Sequence, residues 1–363
     1  MPELRDTASH ADTGEMPPAR DPAPVAATPR WIPGAVRPRA PVAPVIPQRS
    51  AVLFIGAALV FAAIAAAVGD TFFLRLGTEA LILAGLAISV DLLLGFTGML
   101  SLGQALFFGL GAYTSALVLK HVVPSFWVAI GITLAVSTVS GIIGAILSIR
   151  ARGVYFALIT FGMAQVISKV VYNTRAIGGS DGIIGIPVIK ANFLLFQIDT
   201  ASPAGFFLLV LALMLVVYFA LSYLLQTPAG RVLVAVRTNE HRVPFLGYTT
   251  RDAKFLAFVL AANIAAFSGA LYPMLRGFVS PELMYFSVSG DAVITVIIGG
   301  LGTLIGPIYG SVILIALRSV IGTYTDHYPI VIGVLFMIAV IAFPRGLVGW
   351  FVTRRRARGE SRA

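Results

Sequence analysis

Ala204-Gly-Phe-Phe-Leu-Leu-Val-Leu-Ala-Leu-Met-Leu-Val-Val-Tyr-Phe-Ala-Leu-Ser-Tyr-Leu-Leu-Gln226 runs for 23 residues without a charge. At about 1.5 Å of rise per residue, roughly 20 such residues cross the hydrocarbon core of a bilayer. A soluble helix seldom reaches that length without a polar face. Ala51 to Gly69 is likewise uncharged. The whole chain, 363 residues, is 58% hydrophobic and only 12% charged, whereas soluble domains carry about a quarter charged residues. The reading is an all-α integral membrane protein.

Outward from that run, ten apolar segments follow one another at 51–69, 76–95, 102–119, 124–149, 154–173, 204–226, 255–275, 288–300, 306–322 and 329–344. The eighth and ninth are short and interrupted by glycine. Lys and Arg concentrate in the cytoplasmic segments of membrane proteins. With the amino terminus inside, segments 1–50, 96–101, 150–153, 227–254, 301–305 and 345–363 become cytoplasmic and hold 19 of the 26 Lys and Arg residues. The opposite threading would put Arg354, Arg355, Arg356 and Arg358 outside. Both termini are therefore expected in the cytoplasm. The membrane-spanning core is expected over 51–350, with 227–254 as its longest internal cytoplasmic loop.

Residues 1–50 hold 11 of the 21 prolines and little that could bury apolar surface, which predicts a disordered tail. It is not a signal peptide, because the first apolar run begins at Ala51. Residues 351–363 form a basic tail suited to anionic lipid headgroups, so membrane lipids are expected partners. The net charge of +10 needs no nucleic acid to explain it.

The composition also excludes chemistry. There are no cysteines, hence no disulfides or thiolate sites. The histidines (His10, His121, His241 and His327) are scattered, and no metal site is expected. Lys120, Lys169, Lys190 and Lys254 follow Leu, Ser, Ile and Ala. None completes a Gly-Lys phosphate-cradling loop, so the chain has no ATP site of that kind and no cofactor is expected. Two acids, Asp91 and Asp291, fall in apolar segments. At membrane depth an acid faces a cavity or a partner, or caps a helix. Lys169 and Arg318 either snorkel to the interface or pair with such acids.

Two Gly-rich breaks suggest a weak internal repeat. Gly95-Phe-Thr-Gly-Met-Leu-Ser-Leu-Gly-Gln-Ala-Leu-Phe-Phe-Gly109 lies in the first half and Gly299-Gly-Leu-Gly-Thr-Leu-Ile-Gly-Pro-Ile-Tyr-Gly310 in the second. Interrupted spans at corresponding positions point to a transport site, while small residues also simply permit close helix packing. The candidates for the translocation path are Asp91, Gly98, Ser101, Gly103, Gln104, Asp291, Gly299, Gly300 and Gly302. In the 227–254 loop, Pro228 suits a helix start, and Arg231 to Glu240 predicts a short amphipathic helix ended by Pro244 and Gly247.

The stretch from Gly95 to Tyr113 resembles the signature of the high-affinity branched-chain amino acid ABC permeases, and within them the M-type subunit. Arg152 to Thr160, Gly178 to Pro187, Gly269 to Tyr272, Gly299 to Thr303 and Pro344 to Gly349 agree in order. Gly230 to Glu240 resembles the family's coupling segment. The resemblance implies an importer in the bacterial inner membrane. In it two related permeases pair, two separate subunits bind ATP, and a periplasmic binding protein delivers substrate. Carried over by position, Arg237, Thr238, Asn239 and Glu240, flanked by Arg231 and Arg242, would sit at the ATPase contact. The family's Ala-Ala pair after the glutamate is replaced here by His241-Arg242, a variant similar to urea and short-amide permeases. A position often Asn in the family is Asp91. Two other classes compete on residues alone. An ion-driven secondary carrier would use the intramembrane acids. A membrane enzyme would need a nucleophile–base set that is absent.

Overall fold

The computed structural model describes residues 71–342 apart from 188, 193–196, 200–201 and 326, together with the isolated positions 56 and 346. The expected tails and the 51–69 span lie outside the described residues. Helix α1 (Thr71–Asp91) runs on as a π-helical segment, Leu92–Thr97. Helix α2 (Gln104–Leu117) does the same over Val118–Val122. Then come α3 (Phe126–Ser148), α4 (Val154–Asn173), α5 (Pro203–Gln226) and a short α6 (Pro228–Thr238). Helices α7 (Thr250–Arg276), α8 (Phe286–Gly299), α9 (Gly306–Tyr324) and α10 (Tyr328–Ala342) complete the bundle.

Among the described residues seven helices are long and apolar enough to cross a membrane: α1 to α5, α7 and α9. The chain is thus a multi-pass membrane protein. Helices α8 and α10 are apolar but shorter. The 14 residues of α8 reach about 21 Å, less than the roughly 30 Å of a hydrocarbon core. The all-helical expectation also missed two small antiparallel pairs. Strand β1 (Ile183–Ile184) pairs with β4 (Phe278–Val279), and β2 (Lys190–Asn192) with β3 (Gln197–Asp199).

A helix that is apolar on every side must face either lipid or protein. Helix α1 faces protein: Leu86, Ala87, Ile88, Leu92 and Leu93 are fully buried. Helices α3 and α4 are as apolar but leave Val139, Ile143, Leu147, Leu158 and Val166 exposed, as lipid-facing helices do. Between α2 and α7 the backbones nearly touch. Ala257, Ala261, Ala262, Ala265, Ala266 and Ala270 are all fully buried. A Cβ added at Gly269 would collide with the Phe108 carbonyl. In a membrane, where lipid removes most of the hydrophobic drive between helices, such close packing is what associates them. The Ser115 hydroxyl adds a hydrogen bond to the Ala270 carbonyl at 2.9 Å.

The amphipathic helix starts at Pro228, the start its sequence suggests, takes in the turn before Arg231 and stops short of Glu240. Thr227 Oγ1 accepts the Gly230 N–H at 3.4 Å, and Pro228 occupies the first turn. Leu233 and Val236 point inward. Asn239 is extended at φ −160°, so Asn239 and Glu240 follow the helix rather than end it.

Gly269→Ala should destabilise the bundle by about 1–3 kcal/mol through overpacking. Gly162→Ala, where an added Cβ meets nothing within 4 Å, should be neutral or stabilise by up to about 1 kcal/mol. Denaturation midpoints of the two purified variants in the same detergent check the difference. Equal midpoints would contradict the crossing.

Candidate functional site

The two Gly-rich breaks meet at one end of the bundle. In the π-helical turn after Asp91 the regular ladder of helical hydrogen bonds is broken, a feature that recurs at functional sites. The Arg237 guanidinium, from the last turn of α6, donates to the Gly95 carbonyl in that turn. Asp91, fully buried, points the other way. Its carboxylate accepts the Gly302 N–H at 2.7 Å and the Leu304 N–H at 3.2 Å. A side chain at Gly95 would strike both Asp91 and the Gly302 nitrogen. The two breaks therefore touch through backbone, which only a glycine there allows.

The α8–α9 loop is held internally as well. Thr303 Oγ1 donates to the Gly300 carbonyl at 2.7 Å and accepts the Gly306 N–H at 3.0 Å. Leu304 sits at φ 53°, a left-handed conformation uncommon for a non-glycine residue. A buried carboxylate without partners would be very costly. Two backbone donors just ahead of α9, whose amino-terminal end favours negative charge, meet that need. Asp91 thus acts as a cap on the facing loop.

Glu240 closes a second link. It pairs with Lys254 of α7 at 2.7 Å and lies 3.9 Å from Arg152. The Lys254 side chain is only 9% exposed, against 69% for Arg152, so the first contact is the stronger one. A cavity of about 310 Å³ opens between Arg152, Arg237, Asn239, Glu240, His241 and Lys254.

The structure brings Asp91, Gly98, Gly302 and Arg237 together. Gly98 also packs on Arg237, its added Cβ lying 3.2 Å from the arginine Cγ. Ser101, Gly103 and Gln104 form a neighbouring group at the start of α2. Ser101 Oγ lies 3.4 Å from both the Gly103 nitrogen and Gln104 Nε2. Gly103 abuts the Thr160 backbone on α4. Gly299 and Gly300 end α8 and pack within the α8–α9 loop. Asp291 lies apart, within α8, and pairs with Arg318 of α9. Arg231, Thr238, Asn239 and Arg242 are exposed. Lys169 lies over the Tyr172 ring, 5.3 Å from its centre. Lys254, Thr303 and Leu304 were not singled out from sequence. None of the three carried a signal of its own in the sequence.

A family model described as a branched-chain amino acid transport system permease component matches residues 72–341. The chain belongs to the branched-chain amino acid transport permease family. The LivM permease of the high-affinity branched-chain amino acid transport system of Escherichia coli strain K12 is 30% identical to it over 284 residues. That match covers 72% of this chain and 67% of that LivM. The LivH permease of Salmonella typhimurium strain LT2 is 22% identical over 293 residues, 73% of this chain and 90% of that protein. A probable LivM of Methanocaldococcus jannaschii is 23% identical over 260 residues, 66% of this chain and 72% of that protein. No solved structure matches. As a member of this permease family the chain is a transport permease subunit.

Asp91→Asn should cost about 1–3 kcal/mol, because an amide oxygen can serve only one of the two backbone donors well. Asp91→Leu, which strands both, should cost more. Thermal unfolding of the purified variants in detergent checks the order, wild type above Asn above Leu. A Leu variant as stable as wild type would show that the carboxylate is not the cap.

Proposed function

We propose that the chain is one membrane-spanning subunit of an ABC importer in the bacterial inner membrane. With a second, related permease it forms the path for branched-chain or related hydrophobic amino acids. A periplasmic binding protein delivers the substrate, and two separate subunits bind and hydrolyse ATP. The observation that carries this reading is the seating of α6 on the two glycine breaks through Arg237, in a chain of this permease family. The Lys and Arg bias puts that end in the cytoplasm, where an ATPase would meet Arg231, Thr238, Asn239 and Arg242. Exposed polar and charged groups give such a contact its orientation and specificity. The similarity to both LivM and LivH sequences supports a pair of related permeases. The His241-Arg242 variant after Glu240 favours a second substrate class, urea and short amides, within the same importer architecture.

The test is to co-express the chain with its neighbouring genes, purify it and identify what copurifies. A second permease and two ATPase chains, with ATP hydrolysis stimulated by leucine-loaded binding protein, would support the reading. Stimulation by urea or a short amide instead would select the second substrate class. Recovery of the chain alone, transporting in liposomes without ATP, would overturn the importer assignment. Within the assembled complex, Arg237→Gln should lower stimulated hydrolysis by about tenfold, since a charged hydrogen bond is worth about 1.5–3 kcal/mol. Unchanged stimulation in that variant would remove Arg237 from the coupling route.

A further inference from the structure

Asp291 and Arg318 join two apolar helices, α8 and α9, and both side chains are partly exposed. Asp291 lies one and a half turns into α8, and Arg318 six residues before the end of α9. By the Lys and Arg bias this is the half of the protein away from α6. Charged groups at membrane depth are expensive, and they mark substrate or ion pathways when they persist.

A purely structural tie would be sealed and fully used. This pair is neither. The Asp291 side chain is 23% exposed and that of Arg318 35%. Contact is made through one guanidinium nitrogen, Nη2, and one carboxylate oxygen, Oδ2. Arg318 Nε is buried with no partner among the described residues. Nor is the pair needed to bring α8 and α9 together. Ile298 and Leu314 pack with Ile332 and Phe336 of α10, and Ile294, Leu317 and Ile321 pack against them.

An α-amino acid is a zwitterion, with an ammonium and a carboxylate on one carbon. Crossing a low-dielectric region requires a partner for each charge. A carboxylate with a free oxygen can accept the ammonium. A guanidinium with spare donors presents the planar fork that binds a carboxylate. Ile294 and Ile321 lie one helical turn from Asp291 and Arg318 on the same helix faces, where an apolar substrate side chain would rest. We infer that Asp291 and Arg318 form a transient binding station for the zwitterionic head of the amino acid in transit. In it the ammonium is held by Asp291 and the carboxylate by Arg318. The inference rests on the amino acid importer reading above.

The assembled complex in proteoliposomes, with ATP inside and saturating leucine-loaded binding protein outside, provides the test. Saturation separates the station from selection by the binding protein. Replacing a mere structural ion pair by apolar residues of similar volume is often neutral. The double variant Asp291→Leu/Arg318→Met should instead lower radiolabelled leucine uptake at least tenfold while copurifying with its partners. Uptake at the wild-type rate would overturn the station and leave a structural tie. If the double variant fails to assemble, Arg318→Lys decides. It keeps the charge and loses the fork, so a severalfold loss of uptake supports the station and an undiminished rate overturns it. A wild-type complex that moves no α-amino acid would overturn the importer's substrate class, and the zwitterion station with it.

Discussion

A backbone N–H or C=O cannot be left bare at membrane depth, and the two glycine breaks are where this constraint bites. Each break ends a helix early and frees polar backbone. Local turns repair part of it, as where the Met99 N–H donates to the Leu93 carbonyl at 2.8 Å and the Gly300 N–H to the Val296 carbonyl at 2.9 Å. The Gly302 and Leu304 nitrogens are satisfied by Asp91, some 200 residues earlier in the chain. The Gly95 carbonyl is satisfied by Arg237. The Leu102 nitrogen is met by Thr160 Oγ1 at 3.2 Å and the Ala105 nitrogen by Ser289 Oγ at 3.0 Å. Thr303 repairs part of its own loop. The two breaks are therefore tied to each other as well as to their own turns. The rest of the bundle is arranged so that α1, α6, α8 and α9 converge there.

The ion pairs do not all carry the same weight. Arg276 and Glu79, 2.5 Å apart at the opposite end, are partly exposed at 44% and 25%. Water and salt weaken such a pair. Lys254 is almost enclosed, so its partner Glu240 answers a charge that would otherwise be stranded. Removing Glu240 would be felt more than forming the pair helps. This asymmetry fixes the chain just after α6 to the start of α7. Helix α7 is in turn locked to α2 through its alanines and Gly269. Helix α6 is thus tied to the breaks through Arg237, and the chain just after it to the central crossing through Glu240. The lipid-facing α3 and α4 lie off that route.

Much of this was legible in the sequence because hydropathy is a strong signal. The runs at 126–148, 154–173 and 203–226 are found within a residue or two of where apolar length places them. The ends were harder. Thr227 and Pro228 are strong start signals, yet the apolar residues between 232 and 236 drew the expected helix toward Glu240. The strand pairs, two or three residues per strand, carry no periodicity and left no trace. At the site, glycine clustering flagged the breaks, and Asp91 stood out as an acid among leucines. Its role did not, because a carboxylate facing a cavity and one capping a distant loop look alike in sequence. Lys254 and Leu304 were invisible for a similar reason. Nothing local distinguishes a buried lysine or a left-handed leucine, and both are set by tertiary partners.

Leu304 shows what the node holds under strain. A left-handed conformation costs a non-glycine residue on the order of 1–2 kcal/mol. It persists only when its surroundings enforce it. Here the enforcing contact is the hydrogen bond from its own nitrogen to Asp91, supported by the Thr303 bridge. The same carboxylate follows α1 directly into the turn that Arg237 grips. The left-handed Leu304, the Asp91 carboxylate and the turn held by Arg237 are therefore joined in one continuous chain of contacts, so the strain at Leu304 is held by the same residue that links the two breaks.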